Sequence, residues 1–262
     1  MLVAGIVVSD LFSLKGKVAF ITGARRGIGA ATAQLFAEAG ADLVLCDPDV
    51  ASGELSSLTQ KIRQAGRRVI SLKADGSQKD DVENAVTLAL DELGHIDALV
   101  NNVVLGKPGP AGDTAAPDWE EAVNANLRGC YLCCQAVARH MAGRRSGHIV
   151  NIASIEGMIA VRDQAGLYAV SKAGIVEMTR SLARELARCS VHVNGITPGY
   201  LRVQMPQYVQ REPARMRLME TRALKARVGE ADDIAAVALF LSTPASMWVD
   251  GEIMVVDGGA LA

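Results

Sequence analysis

Short apolar runs alternate with amphipathic stretches along almost the whole chain. Val18–Thr22 (VAFIT) reads as a buried strand, and after a glycine-rich turn a helical pattern continues to about Ala39. An apolar run at 42–46 precedes a helix ending near Gly66, and a run at 68–73 precedes a helix over Lys79–Leu93. Ala98–Asn101 is followed by an irregular Gly- and Pro-rich stretch at 106–117. Then come a helix at 125–141, a strand at 148–152, a helix at 166–187 and a strand at 191–196. A polar, Arg-rich segment, a helix at 232–241 and a last strand at Ile253–Val256 complete the pattern. Strands apolar on every residue belong to a sheet covered on both faces. Strand–helix repetition therefore predicts an α/β fold: a doubly wound, mostly parallel seven-stranded sheet with helices on both faces. One domain is expected over 14–262, after an extension at 1–13. Ligands of such sheets bind beyond the carboxyl ends of the strands, where the strand order reverses.

Composition narrows the functional classes. With 27 Lys+Arg against 29 Asp+Glu the net charge is −2, so no global positive field exists to hold nucleic acid. Aromatic residues make up only 4%, which leaves little for base stacking. Five cysteines, an odd and scattered set, point to a reducing, cytoplasmic setting rather than a disulfide framework. The apolar residues 1–12 are too few to span a bilayer and lack the basic start of a signal peptide, so no membrane partner is expected. The four histidines show no ligand spacing, and no metal is expected.

The chemistry begins after the first strand, at Thr22-Gly23-Ala24-Arg25-Arg26-Gly27-Ile28-Gly29. Gly23 permits a tight turn, Gly27 a close approach to a pyrophosphate, and Gly29 close helix packing. The helix that follows offers free N–H groups and a partial positive charge. The expected ligand is a dinucleotide. Asp47 stands 18 residues after Gly29, at the end of the second strand, where a carboxylate accepts hydrogen bonds from adenosine ribose hydroxyls and repels a 2′-phosphate. Pro48 and Asp49 follow with no cation to offset the charge. Arg26 argues the other way, since a guanidinium in the turn can reach a 2′-phosphate. The balance favours NAD over NADP. Asp75 either bonds the adenine amino group or caps the next helix through Asp75-Gly76-Ser77.

Tyr168 and Lys172 lie at i and i+4, on one helix face. An ammonium and a positive nicotinamide ring both favour the phenolate, which suits Tyr168 to acid–base work near neutral pH. Ser154, 14 residues earlier and just past a strand, can donate to a substrate oxygen. Together with Asn101-Asn102, Asn126-Leu127, Pro198-Gly199 and Val256-Asp257-Gly258-Gly259, these motifs resemble the short-chain dehydrogenase/reductase family over 14–259. The resemblance implies a Rossmann-type fold and an NAD(P)-dependent oxidoreductase acting on a secondary alcohol or carbonyl. It implies a catalytic tetrad of Asn126, Ser154, Tyr168 and Lys172, with Asn126 holding a water that links Lys172 to solvent. Cofactor contacts are implied at Gly23, Arg25, Arg26, Gly27, Ile28, Gly29, Asp47, Asp75, Gly76, Asn102, Val103, Tyr168, Lys172, Pro198, Gly199 and Leu201. A homo-oligomer, a tetramer or dimer through the helices at 125–141 and 166–187, is also implied; burial within one chain explains their apolar stripes equally.

Two positions depart from the family's pattern. Val103-Val104 replace the usual Ala-Gly, adding bulk and stiffness beside the cofactor. Val203 replaces a threonine whose hydroxyl meets the carboxamide. Expected substrate contacts are Leu105, Ser154, Glu156, Gln164, Tyr168 and Arg202, with Arg162, Tyr200 and Met205 as further candidates. Glu156 suits a polyol or hydroxy acid, or is a solvated loop charge. Segment 200–227 carries seven cations against two acids, and reads either as a lid for a polar or anionic small-molecule substrate or as an exposed helix with a charged face. Cys130-x-x-Cys133 lies in a helical pattern and reads as packing. Competing readings are an NADPH-dependent 3-oxoacyl carrier protein reductase and a non-catalytic dinucleotide-binding protein.

Overall fold

The computed structural model describes residues 7–106, 113–160, 166–205 and 210–262. A short helix α1 (Val8–Leu11) precedes β1 (Val18–Thr22), α2 (Gly27–Glu38), β2 (Asp42–Asp47), α3 (Glu54–Gln64), β3 (Val69–Lys73), α4 (Lys79–Leu93) and β4 (Ala98–Asn101). The second half runs through α5 (Ala116–Val123), α6 (Gly129–Arg144), β5 (Gly147–Ile152), α7 (Gly166–Leu186), β6 (Val191–Pro198), α8 (Pro213–Glu220), α9 (Ala231–Leu241) and β7 (Ile253–Val256). The strands form one parallel sheet in the order β3-β2-β1-β4-β5-β6-β7. Its order reverses between β1 and β4, which opens a crevice at their carboxyl ends.

Each face of the sheet carries its own core. On one, Phe20, Val44, Leu99 and Ile149 pack with Val86 of α4, Val137 of α6 and Ile175 of α7. On the other, Ile21, Leu43, Leu45 and Val100 pack with Phe36 of α2, Leu58 of α3 and Ile234 of α9. Phe20 and Phe36 are 2% and 0% exposed, and burying such a side chain contributes roughly 2–3 kcal/mol.

The strand pattern holds to within two residues at either end. Two helices differ from expectation. The stretch 106–117 does not stay irregular to its end: α5 starts at Ala116, because Pro117 sits in a first helical turn, where its missing N–H costs nothing. Between α5 and α6 the chain makes a π-helical turn, Asn124–Arg128, so the helical course to Arg144 is longer than the predicted 125–141. The Arg-rich segment contains α8, which exposes Arg217 and Leu218 and buries Met216.

All four histidines gather near the amino ends of the strands, away from the crevice. Asp97, buried ahead of β4, accepts the Val18 N–H at 2.9 Å and pairs with Lys17 at 3.4 Å, Arg144 at 3.3 Å and His95 at 3.0 Å. His140 Nε2 accepts the Ile96 N–H at 3.3 Å. His148 on β5 stacks on His192 of β6, ring centroids 5.2 Å apart.

Candidate active site

The turn after β1 is shaped by what glycine allows. Gly23 and Gly27 both hold φ of +59°, a left-handed conformation that L side chains rarely adopt. A Cβ on Gly29 would lie 2.2 Å from the Gly23 carbonyl oxygen, so the turn closes on the start of α2 only without a side chain there. Asn102, expected as a cofactor contact, braces this turn: its Nδ2 donates to the Gly23 carbonyl at 3.0 Å, and its N–H donates to Thr22 Oγ1 at 3.0 Å. Ile28 is buried and Arg26 exposed. Val203 lies against the turn, 3.7 Å from where a Gly27 Cβ would be.

The structure corrects the electrostatics at Asp47. Its carboxylate does have a cation: Arg25 Nε lies 3.4 Å from Oδ1, and the same guanidinium pairs with Asp49 at 3.2 Å and with Glu54. The link was hidden because Arg25 is far from Asp47 in sequence while the turn folds back over β2. Asp47 also accepts the backbone N–H groups of Arg25 at 3.2 Å and Asp49 at 3.0 Å. Asp75 Oδ1 accepts both the N–H and the hydroxyl of Ser77, at 2.9 and 2.8 Å, a local turn against which α6 packs closely. A Cβ on Gly129 would come 3.1 Å from the Gly76 carbonyl carbon. At the end of β6, a Cβ on Gly199 would lie 2.7 Å from Asp257 Cα. Leu201 is buried and bridges to Gly229.

Beyond β5, Ser154 is 8% exposed and its Oγ accepts the Glu156 N–H at 3.2 Å. A Cβ on Gly157 would lie 2.6 Å from the Lys172 carbonyl carbon, so this loop presses directly on α7. Lys172 is 1% exposed, and its Nζ donates to the Ile152 carbonyl at 2.8 Å. The same Nζ lies 5.7 Å from the Tyr168 ring centroid. Burial lowers the Lys172 pKa to about 8, against which Cys130 acts to raise it. Tyr168 itself is half-buried.

Asn126 is 1% exposed and sits in the π turn. Its Oδ1 accepts the Leu105 N–H at 2.6 Å, and its Nδ2 donates to the Leu105 carbonyl at 2.9 Å and to Ser171 Oγ at 3.0 Å. Ser171 in turn donates to the Tyr168 carbonyl at 2.8 Å. Asn126 thus ties the segment after β4 to the helix that carries Tyr168. Ser171 escaped the sequence reading; its only signal was its place inside the Tyr-x-x-x-Lys spacing.

Among the other substrate candidates, Arg202 pairs with Glu230 at 2.8 Å, and Arg222 donates to the Tyr200 hydroxyl at 2.8 Å. Arg227 binds Asp233 through both of its terminal nitrogens, at 2.7 and 2.8 Å. Arg202 is exposed, while Glu156 and Met205 are half-buried. Arg162 and Gln164 lie outside the described residues.

The left-handed glycine turn between β1 and the N-terminus of α2, at the point where the strand order reverses, fits a dinucleotide lying across the sheet's switch point. A family model described as "Enoyl-(Acyl carrier protein) reductase" matches residues 23–260. The chain belongs to the short-chain dehydrogenase/reductase family. As a short-chain dehydrogenase/reductase it is an oxidoreductase acting on alcohol or carbonyl groups with NAD(P). It is 34% identical over 253 residues to the 5-keto-D-gluconate 5-reductase of Escherichia coli K12, covering 97% of this chain and 98% of the other. It is 36% identical over 246 residues to the (2S)-[(R)-hydroxy(phenyl)methyl]succinyl-CoA dehydrogenase subunit BbsD of Thauera aromatica, covering 94% and 97%. The crystal structure of a gluconate 5-dehydrogenase from Burkholderia cenocepacia in complex with NADP and tartrate superposes with a TM-score of 0.91. The two chains are 32% identical over 97% of this one and 99% of that one. Among the described residues, no helix of this short-chain dehydrogenase/reductase is long and apolar enough to cross a membrane.

Proposed function

We propose that the chain interconverts a secondary alcohol and a ketone on a hydroxy acid or polyol, using NAD in preference to NADP. The observation that carries this reading is the buried Lys172, held by the Ile152 carbonyl two residues before Ser154 and placed beside the Tyr168 ring. A bound nicotinamide supplies the hydride acceptor or donor. Ser154 Oγ orients the substrate oxygen, and the Tyr168 phenol passes the proton to or from it. Lys172 stabilises the phenolate by its charge. Asn126 holds the Leu105 segment and α7 in register, so that Leu105 borders the substrate. The gluconate and keto-gluconate activities named for two relatives, and the tartrate bound to one, support a hydroxylated acid as substrate.

Met158 and Ile159, 42% and 49% exposed just beyond Ser154, favour a second reading, an acyl thioester substrate. A panel of polyols, sugar acids and 3-oxoacyl thioesters, followed by nicotinamide absorbance with NAD and NADP in parallel, decides between the two. Turnover of thioesters alone removes the hydroxy-acid reading, and no turnover of any class in the panel removes both substrate readings.

Asp47 supports the preference for NAD through its place at the end of β2, while Arg25 moderates its charge. Repulsion between Asp47 and a 2′-phosphate is worth about 1–4 kcal/mol at contact range. Asp47→Ala is therefore expected to raise the ratio of kcat/KM for NADP to that for NAD roughly tenfold or more. An unchanged ratio rejects the assignment. The exposed Trp119, Tyr131 and Val170 on α5, α6 and α7 support assembly of copies through this helical side.

A further inference from the structure

The guanidinium of Arg25 is shared among three carboxylates at the rim of the glycine turn. Its Nη1 lies 3.2 Å from Asp49 Oδ2 and donates to Glu54 Oε2, while its Nε stands 3.4 Å from Asp47 Oδ1. That Nε is buried and makes no hydrogen bond among the described residues, so it meets Asp47 by charge alone. The three acids are not equally free. Asp47 is fixed by the N–H groups of Arg25 and Asp49. Asp49 holds its own loop, accepting the N–H groups of Ala51 at 3.1 Å and Ser52 at 3.2 Å. Glu54, the first residue of α3, binds nothing but Arg25 through its carboxylate among the described residues. Its side chain is 50% exposed, against 18% for Arg25. An exposed carboxylate thus holds a sheltered cation, and of the three it is the one that can let go without unmaking a turn.

We propose that Glu54 sets the choice of dinucleotide by withholding Arg25 from a ribose 2′-phosphate. NAD is then accepted with the Arg25–Glu54 pair in place, and NADP only when that pair breaks. The proposal rests on the reading of Asp47 as the ribose contact. Ribose hydroxyls need only acceptors there, and each Asp47 oxygen keeps a lone pair beyond the N–H it already accepts. A 2′-phosphate brings about two negative charges to a place where three carboxylates already face one guanidinium. Arg25 is the cation that stands on Asp47; Arg26, the other guanidinium of the turn, is exposed and pairs with none of the three acids. A guanidinium offers phosphate and carboxylate the same fork of donors, so Glu54 and a 2′-phosphate compete for one group. Glu54 is therefore a positioning residue that acts through Arg25. Selectivity depends on a surface ion pair, a weak restraint, as well as on the buried Asp47.

The intact protein is titrated with NAD and with NADP in a calorimeter, so that binding is read without turnover. Glu54→Gln is expected to raise the affinity for NADP relative to NAD about two- to fivefold, the range an exposed ion pair supplies. Arg25→Gln is expected to lower the same ratio about tenfold, as befits the loss of a charge-assisted bond. In the double variant the gain from Glu54→Gln is expected to vanish, because it is exerted through Arg25. A gain of equal size without Arg25 would reduce Glu54 to simple repulsion and overturn the proposal. An unchanged ratio in Glu54→Gln overturns it too, as does a ratio that falls in Arg26→Gln and not in Arg25→Gln. The reading of Asp47 is checked apart, by the affinity of Asp47→Ala for NAD. No weakening there removes the ribose contact and the proposal with it. Weakened NAD binding beside an unmoved ratio in Glu54→Gln removes the role of Glu54 alone.

Discussion

Replacing Tyr168 with phenylalanine is expected to lower kcat by about two to four orders of magnitude, the range that positioned acid–base groups contribute. That loss corresponds to about 3–5 kcal/mol of transition-state stabilisation. The substitution removes one oxygen and keeps the ring. Lys172 keeps its bond to the Ile152 carbonyl, and Ser171 keeps its bond to the backbone carbonyl of residue 168, because neither uses the phenol. The site therefore stays assembled and loses only its proton donor. Dinucleotide affinity, measured by quenching of protein fluorescence, is expected to stay within about twofold, since the phosphate turn and Asp47 are untouched. Turnover like that of the wild type would place the proton donor elsewhere and end the proposed mechanism.

The second large effect concerns stability against acid. Burial lowers His148 to a pKa of about 4, helped by the neighbouring His192 and Lys17 and opposed by a bond to the Leu241 backbone and by Asp97. The unfolded chain titrates this group near the ordinary 6.5. Between those values the unfolded state holds a proton that the folded state refuses, so stability is fully present above pH 6.5 and is lost as pH falls towards 4. At about 1.4 kcal/mol per pH unit, the gap between the two values is worth about 3 kcal/mol. His140 is lowered as well, by burial first and then by Arg144 and His95, and acts in the same direction. Urea denaturation at pH 7, 5.5 and 4 should show this decline. His148→Gln should flatten it while costing some stability at pH 7. A variant with the wild-type slope would move the acid sensitivity to another group.

The sheet was legible because its strands are buried on both faces, so each reads as an unbroken apolar run. The geometry of the glycine turn and of the Tyr168/Lys172 pair was legible because spacing carries it: three glycines around one turn, two side chains one turn apart on a helix. What was hidden depended on distance in sequence. Nothing near Asp47 in the chain announced that Arg25 would reach it, since that contact is made by the turn folding back over β2. Pro117 looked like a break and proved to be a helix start. In the basic segment 200–227, Arg202 and Arg227 pair with Glu230 and Asp233, and Arg222 donates to the Tyr200 hydroxyl, contacts that composition did not announce. Composition counts charges; it does not count the partners that already hold them.

The π turn at Asn124–Arg128 sets a limit on how this chain can be shortened. It holds one residue more per turn than its α-helical flanks. Deleting a residue there would let α5 and α6 merge into one regular helix with its backbone bonding intact. Yet each α-helical residue advances the helix by about 100°. The repair would turn Asn126 away from Leu105 and Ser171, or swing α5 away from α7. The most regular backbone is therefore not the working one: the irregular turn is a spacer that sets the angular phase between α5, which packs on α7, and α6, which packs in the core.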